Sequence, residues 1–407
     1  MPDSPTVLLL GTLDTKGFEY SYLRDRLSAE DVEVLVVDVG VNEPAGITPD
    51  VTRQQVAAAI GADADELATT GDRGEAVATM TEAAAVVVAQ LHRAGRFDGI
   101  LAAGGSGGTA IATNAMRALP VGVPKLMLST MASGDTSPYV GSTDITMMAS
   151  VTDVAGVNSI SALILANAAS AMAGMVKKAP VSLDDQRPLI AATMFGVTTP
   201  AVTAAREDLE RRGYEVLVFH CTGTGGRAME SLVDAGFFDG VLDLTTTELC
   251  DELVGGVLSA GPDRLGAAAR TGVPQVVSLG ALDMVNFGAP ETVPEKFEGR
   301  TMYQHNPAVT LMRTTAEETA QLGSQIAEKL SAASGPTALF MPLRGVSMIA
   351  IEGQPFHDAA ADEALFSAIR ENLAGSVELI EMECDINDPE FAAAMAQKLD
   401  DYMKGTG

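Results

Sequence analysis

The sequence predicts an α/β protein of two tandem Rossmann-like domains, each a doubly wound parallel sheet, related by internal duplication. Three observations predict it. Short, continuous Val/Leu/Ile runs alternate with helix-like stretches, the pattern of strands covered by helices on both faces. The same landmarks recur in the same order in the two halves. A chain of 407 residues also exceeds what a single hydrophobic core commonly holds.

The elements follow in order. Residues 7–15 (VLLLGTLDT) start a strand, a turn and a helix ending near Leu27, and residues 189–197 (LIAATMFGV) do the same, with a helix ending near Leu209. Strands at 34–39 and 215–220 come next. Residues 94–101 (AGRFDGIL) are echoed by 235–242 (AGFFDGVL), and 122–126 (GVPKL) by 272–276 (GVPQV). The pattern breaks over residues 177–187, where Lys and Asp clusters flank prolines, so the domains are set at 1–180 and 181–407. The apolar stretch 157–176 carries Asn158, Ser159, Ser161, Asn167 and Ser170 and reads as a buried helix between the domains, not as a membrane span. Past Gly335, a strand at 337–341, a helix near 362–373, a strand at 377–382 and a helix at 389–403 complete the chain. The last helix starts from the cap Asn387, Asp388, Pro389.

The most informative stretch ends the strand at 99–103, where Gly104, Gly105, Ser106, Gly107, Gly108 and Thr109 lead directly into a helix-like segment at 110–118. Glycines let a backbone approach a ligand, and a new helix aims free N–H groups at it, a geometry suited to phosphate. No Lys follows as a Walker A loop requires, but residues 105–110 fit G-x-G-x-x-A. The acid that a dinucleotide site needs has only Asp135 as a candidate, in the polar loop 133–137, so phosphate cradling is the preferred reading over dinucleotide binding. A tight turn without a ligand is the alternative. A second loop, Thr222, Gly223, Thr224, Gly225, Gly226 and Arg227, follows the strand at 215–220 and also fits G-x-G-x-x-A. It is not the positional equivalent of the first: that place is held by residues 243–248, and its own first-half counterpart is residues 70–74. The two loops are expected to face one cleft. Arg227 adds a bidentate phosphate donor; a capping turn with a solvated Arg is the alternative.

Other polar residues sit at strand ends. Thr12, Asp14, Thr15 and Lys16 follow the first strand: Lys16 neutralises a phosphate, and Asp14 takes a sugar hydroxyl or magnesium, or else simply caps the helix. Thr130, Ser133 and Asp135 lie on the same rim, Thr245, Thr246 and Thr247 offer hydroxyls to an anion or cap a helix, and Arg344 is a further anion-binding candidate. Ser106 technically matches G-x-S-x-G, but with four histidines in the chain a hydrolase triad is disfavoured. No metal-ligand spacing is present, and Cys221, Cys250 and Cys384 read as reduced thiols of a cytoplasmic protein. Lys plus Arg number 26 against 54 Asp plus Glu, a net charge of −28 that opposes binding to nucleic acid or an anionic membrane. The N-terminus carries no signal-peptide pattern.

Six segments together, residues 10–17 (LGTLDTKG), 104–109 (GGSGGT), 129–135 (STMASGD), 193–200 (TMFGVTTP), 219–227 (FHCTGTGGR) and 244–248 (LTTTE), resemble the UPF0261 family over nearly the whole chain. That family is similar to the N-terminal ATP-binding domain of the tomato resistance protein Tm-1. The resemblance implies two Rossmann-like subdomains, ATP with Mg2+ as ligand, and a homodimer, with the two glycine loops as nucleotide contacts. It supplies no reaction. The plant protein continues into a TIM-barrel-like domain, so a TIM-barrel-like enzyme is an expected partner. The resulting expectation is an ATP- and Mg2+-dependent enzyme acting on an unknown small-molecule substrate. In it Lys16 and Arg344 supply charge, and Asp14 or Asp135 holds the magnesium. A nucleotide-sensing module without turnover and a hydrolase or lyase of a small anionic metabolite are the alternatives.

Overall fold

The computed structural model describes residues 4–69, 73–178 and 187–405. The chain divides into two compact units, Met1–Ser182 and Leu183–Gly407. In the first, strands β1 (Thr6–Gly11), β2 (Glu33–Asp38), β3 (Gly99–Gly104), β4 (Lys125–Ser129) and β5 (Thr146–Ala149) form an all-parallel sheet in the order β2-β1-β3-β4-β5. Successive side chains point to opposite faces. Leu8, Leu10, Val37 and Ile100 pack beneath the helices Arg73–Arg93 and Ser106–Arg117. Val7, Leu9, Val36 and Leu101 pack on Leu13–Ser28 and Ser161–Val176. This is the doubly wound arrangement the apolar runs predict.

Two features differ from the expectation. The helix Ser161–Val176 does not stand between domains. It is a layer of the first unit, burying Leu165, Ala168, Ala169, Met172 and Ala173 in the same core as β1 and β3. Its small residues bring it close to the sheet, which explains an apolar segment interrupted by Ser and Asn. Strand β5 is absent from the sequence reading because it is a four-residue edge strand with half-exposed side chains.

In the second unit the strands are β6 (Leu189–Met194), β7 (Glu215–His220), β8 (Gly240–Thr245), β9 (Gln275–Gly280), β10 (Met284–Phe287), β11 (Met302–Asn306), β12 (Val309–Arg313), β13 (Thr337–Pro342) and β14 (Glu378–Met382). Six of them form a parallel sheet in the order β14-β13-β9-β8-β6-β7. The run β7-β6-β8-β9 repeats β2-β1-β3-β4, so the duplicated landmarks occupy duplicated places. Ile190, Ala192, Leu242 and Phe340 pack against Thr199–Arg211 and Pro389–Gly405; Val277, Leu279 and Leu339 pack against Ala316–Ser331 and Ala359–Asn372. The final helix starts as read, with Asp388 Oδ1 accepting from Glu390 N at 2.9 Å beside Pro389. An antiparallel sheet, β10-β12-β11, is inserted between β9 and β13. Its strands are short and mixed in polarity, so no apolar run announces it. Among the described residues no helix is long and apolar enough to cross a membrane.

Candidate functional site

In the first unit the chain leaves β1 for β2 on one side, and continues from β3 to β4 and β5 on the other. Ligands of such sheets bind outside the carboxyl ends of the strands where the order reverses, here β1 and β3. A cleft of about 490 Å³ opens there. Thr12, Asp14, Thr15 and Lys16 enter it from β1, and Gly105, Ser106, Gly107 and Gly108 from β3.

The glycine segment is the first turn of the helix Ser106–Arg117, whose N-cap Gly105 has no side chain to bond the helix end. The N–H groups of Ser106, Gly107 and Gly108 have no partner within the chain. A Cβ added at Gly107 or Gly108 would meet nothing within 4 Å. Free donors, open space and the positive end of a three-turn helix are the features that make this turn a candidate anion site. On the opposite lip, Thr12 and Thr15 share a hydroxyl contact of 3.1 Å, and Lys16 Nζ donates to the Val154 carbonyl. Asp14 Oδ2 accepts from Asn42 N at 3.1 Å, while its buried Oδ1 has no partner. Beside it Asp38, fully buried at the end of β2, accepts from Gly40 N at 2.8 Å and Leu13 N at 3.2 Å through Oδ1 and leaves Oδ2 unpartnered. Burial, aided by the charge of Asp14, pushes the Asp38 carboxyl up against the opposing pull of the two backbone donors.

The remaining first-half candidates are not in the cleft. Gly104 closes β3, and Thr109 is buried, bonding Gly105 O at 2.7 Å and Ser129 Oγ at 2.6 Å, so it fastens the helix to β4. Thr130 N pairs with Gly104 O, Ser133 is exposed, and Asp135 caps Ser137 through N and Oγ contacts of 2.9 and 2.6 Å. Those Ser137 bonds hold the Asp135 carboxyl below its ordinary range. Ser106 lacks the strained positive φ of a nucleophile elbow, and no histidine lines the cleft among the described residues. The counterpart proposed for the second glycine loop, residues 70–74, runs through residues 70–72, which lie outside the described residues.

The second glycine loop corrects the sequence reading. Gly223 N and Gly226 N already donate to Oε1 of Glu248, at 2.7 and 3.1 Å. Glu248 is fully buried, and its Oε2 accepts from Arg264 Nε at 2.7 Å. A Cβ at Gly226 would lie 2.0 Å from Glu248 Oε2, and one at Gly225 would lie 1.9 Å from His220 O. These glycines are required by internal packing, and the cradle holds the chain's own carboxylate. Thr222 and Thr224 face each other at 3.5 Å on the loop, and Arg227 Nη1 is spent on Ser259 O at 2.7 Å. Thr245, Thr246 and Thr247 form no anion rim either. All three are fully buried, bonding Thr198 Oγ1 (2.7 Å), Ser278 O (3.1 Å) and Asn286 Nδ2 (3.5 Å) respectively. Arg344 stands apart in an open depression at the ends of β13 and β14, 3.5 Å from Glu383.

Sequence reasoning missed Arg264. It lies in a loop without a motif, yet its guanidinium is wholly buried and meets Asp243, Glu248 and Glu230. Asp243 also accepts from Thr193 at 2.8 Å, and Glu230 from Leu265 N and Ala267 N at 2.6 and 2.7 Å. Burial works against the Arg264 charge, but the three carboxylates more than offset it.

A second buried acidic group sits nearby in the same unit. Asp251 accepts from Asn286 N at 2.8 Å and Nδ2 at 2.6 Å, and Asp283 from Ser347 Oγ at 2.8 Å. Burial pushes Asp251 up to about 7 and Asp283 up to about 6. Unfolded, both carboxyls release their protons near 3.8, so between about pH 4 and 7 the folded state binds more protons than the unfolded one. The stability these two groups contribute is therefore expected to fall as pH rises through that window, by roughly 4 kcal/mol for Asp251 and roughly 3 kcal/mol for Asp283. Asp251→Asn should remove the upper part of the fall. Chemical denaturation at pH 5 and pH 8 checks this: equal slopes in both proteins would exclude Asp251 as the source.

Fold and site define a doubly wound α/β protein of two duplicated units, one with an open cleft at its topological switch point and one with the loops beside its own switch point closed from within. Models of the uncharacterised protein family UPF0261 match residues 5–180 with the N-terminal domain and 187–403 with the C-terminal domain, and the chain belongs to that family. A UPF0261 protein of Clostridium tetani is 53% identical over 399 residues, covering 98% of this chain and 99% of that one. One from Mesorhizobium japonicum is 49% identical over 396 residues, covering 97% of this chain and 98% of its own. The ToMV resistance protein Tm-1(GCR237) of Solanum lycopersicum is 39% identical over 415 residues, covering 97% of this chain and 55% of the plant protein.

Proposed function

We propose that the N-terminal cleft binds the phosphate groups of a nucleotide, and that the protein is an ATP- and Mg2+-dependent enzyme acting on a small metabolite. One observation carries the phosphate reading: three unpartnered N–H groups at the first turn of the helix Ser106–Arg117 face open space at the switch point of the sheet. The choice of ATP comes from the resemblance to the Tm-1 domain. Lys16 supplies a positive charge across from the helix end.

Asp14, which lines the cleft and whose Oδ1 has no partner, would hold the magnesium ion, since Mg2+ is commonly held by one or two carboxylates together with substrate phosphates. When bound, the ion neutralises phosphate charge. The chain's own part is to fix the phosphates on the glycine N–H groups and orient them against Lys16, which is catalysis by positioning and electrostatics. A thermal-shift panel tests the reading. Mg·ATP is expected to raise the melting temperature of the first unit; no shift with Mg·ATP beside a clear shift with NAD or a coenzyme A ester would overturn it.

A second reading is favoured by the absence of histidine and cysteine from the cleft lining among the described residues. A nucleotide-sensing module acting through a partner needs no such group, and saturable ATP binding without ATP consumption would assign the protein to it. The same observation counts against a hydrolase or lyase built on a histidine. The cytoplasmic location, the homodimer and a TIM-barrel-like partner enzyme are proposed from composition and the family resemblance.

A further inference from the structure

We infer that the open edge of β7 is a strand-pairing surface, on which a second copy of this chain lays its own β7 antiparallel to the first. This rests on the homodimer proposed above, names its surface, and is independent of the phosphate reading.

The internal duplication shows this edge uncovered where its twin is covered. β2 and β7 hold the same place in the two sheets, and their registers make Val36 the counterpart of Val218 and Leu35 that of Leu217. In the first unit the chain itself occupies the outer edge of β2. Val36 N donates to Asp50 Oδ2 at 2.8 Å, Val36 O accepts from Asp50 N at 2.9 Å and Val51 N at 3.1 Å, and Asp38 N donates to Val51 O at 2.9 Å. Asp50 and Val51 belong to the stretch between β2 and the helix Arg73–Arg93. The second unit has no such stretch, since β7 ends at His220 and the next helix starts at Thr224. Glu215 N and Cys221 N bond Pro188 O and Met194 O on the β6 side, so the backbone groups of Val216, Val218 and His220 turn outward. Their three N–H groups, and the carbonyls of Val216 and Val218, have no partner among the described residues. Leu217 is 40% exposed where Leu35 is 7% exposed.

The strand is complementary to itself. Only outward-turned residues can exchange bonds, so a two-fold axis at Val218 sets Val218 against its own copy and Val216 against His220. Leu217 of each copy then stands opposite Phe219 of the other, in the kind of pair where side chains come closest, and both exposed leucines are covered. The two Glu215 carboxylates fall at opposite ends of the pairing, about 20 Å apart. In a chain of net charge −28 this matters, because the pairing sets no carboxylate of the strand against another. Edges that stay single are commonly blunted by charge, proline or a bulge. The other edge of the same sheet is blunted in this way: β14 carries Glu378 and Glu381, paired with Lys398 at 2.8 Å and Arg370 at 2.7 Å. Between Glu215 and His220, β7 carries only Val216, Leu217, Val218 and Phe219.

The test is sedimentation velocity of the full-length protein across a dilution series, with amide hydrogen exchange read over residues 215–221. The wild-type protein is expected to dimerise, with the outward amides of β7 protected in the dimer and exchanging freely on dilution. Leu217→Lys changes an exposed position and acts twice across the axis, so it should weaken the dimer about a hundred-fold with circular dichroism unchanged. Val218→Pro removes an outward donor without breaking a bond to β6 and should also weaken it. A Leu217→Lys dimer as tight as wild type, or β7 amides that exchange freely in the wild-type dimer, overturns the surface and leaves the homodimer standing. A wild-type protein that is monomeric at every concentration overturns both.

Discussion

Gly107→Asp is expected to abolish phosphate binding while leaving the fold unchanged. The site has room for the side chain, since an added Cβ meets nothing within 4 Å, and a carboxylate in the first turn of a helix is favourable to the helix itself. The same carboxylate would stand about 4 Å from a bound phosphate. At an effective dielectric near 20 that repulsion is on the order of 4 kcal/mol, or roughly a thousand-fold in affinity. Gly107→Ala, which adds bulk into open space but no charge, should bind within a few-fold of wild type. Titration with Mg·ATP, with circular dichroism and melting temperature as the fold control, separates the two variants. Unchanged affinity in the aspartate variant would refute the placement of the phosphate.

Arg264→Met should produce the largest loss of stability in the molecule. It removes the one cation from a buried set of three carboxylates, Asp243, Glu248 and Glu230. Breaking a buried ion pair by deleting one partner typically costs 3–5 kcal/mol, because the remaining charge is left without compensation. For a unit of this size a loss of about 4 kcal/mol lowers the melting temperature by roughly 8–16 °C. The effect should shrink in acid, where the abandoned carboxylates take up protons and cease to repel. Ligand binding in the N-terminal cleft should persist. A melting temperature within about 2 °C of wild type would show that the cluster does not hold the unit together. Gly226→Ala tests the same cluster from the other side, since its methyl group would collide with Glu248.

The two variants also mark the limit of what the sequence could say. Strands buried on both faces are legible because every position must be apolar, and the duplicated landmarks survive because they sit at duplicated places in the sheets. The Asp388 cap and its Pro389 were legible because capping is local chemistry. The two glycine loops were not distinguishable. Both fit G-x-G-x-x-A, but Gly107 is small so that space stays open, and Gly226 is small because Glu248 fills it. That difference depends on a carboxylate 22 residues away and on an arginine in a loop with no motif, contacts that no local pattern encodes. The edge strand β5 and the inserted β10-β12-β11 sheet were missed for a related reason: short strands with polar or exposed positions lack the periodicity that longer elements carry.

Glu248 can be regarded as a ligand joined to its receptor by the chain. It cannot be diluted away, so the unit that contains it draws the same support whatever the metabolite pool contains. Among the described residues the N-terminal glycine turn has no such tenant, and if it binds phosphate as proposed, the stability of that unit would rise with free ligand as RT ln(1 + [L]/Kd). On the proposed phosphate reading the two copies would be different kinds of object: one whose stability is constant, and one whose stability would report a concentration.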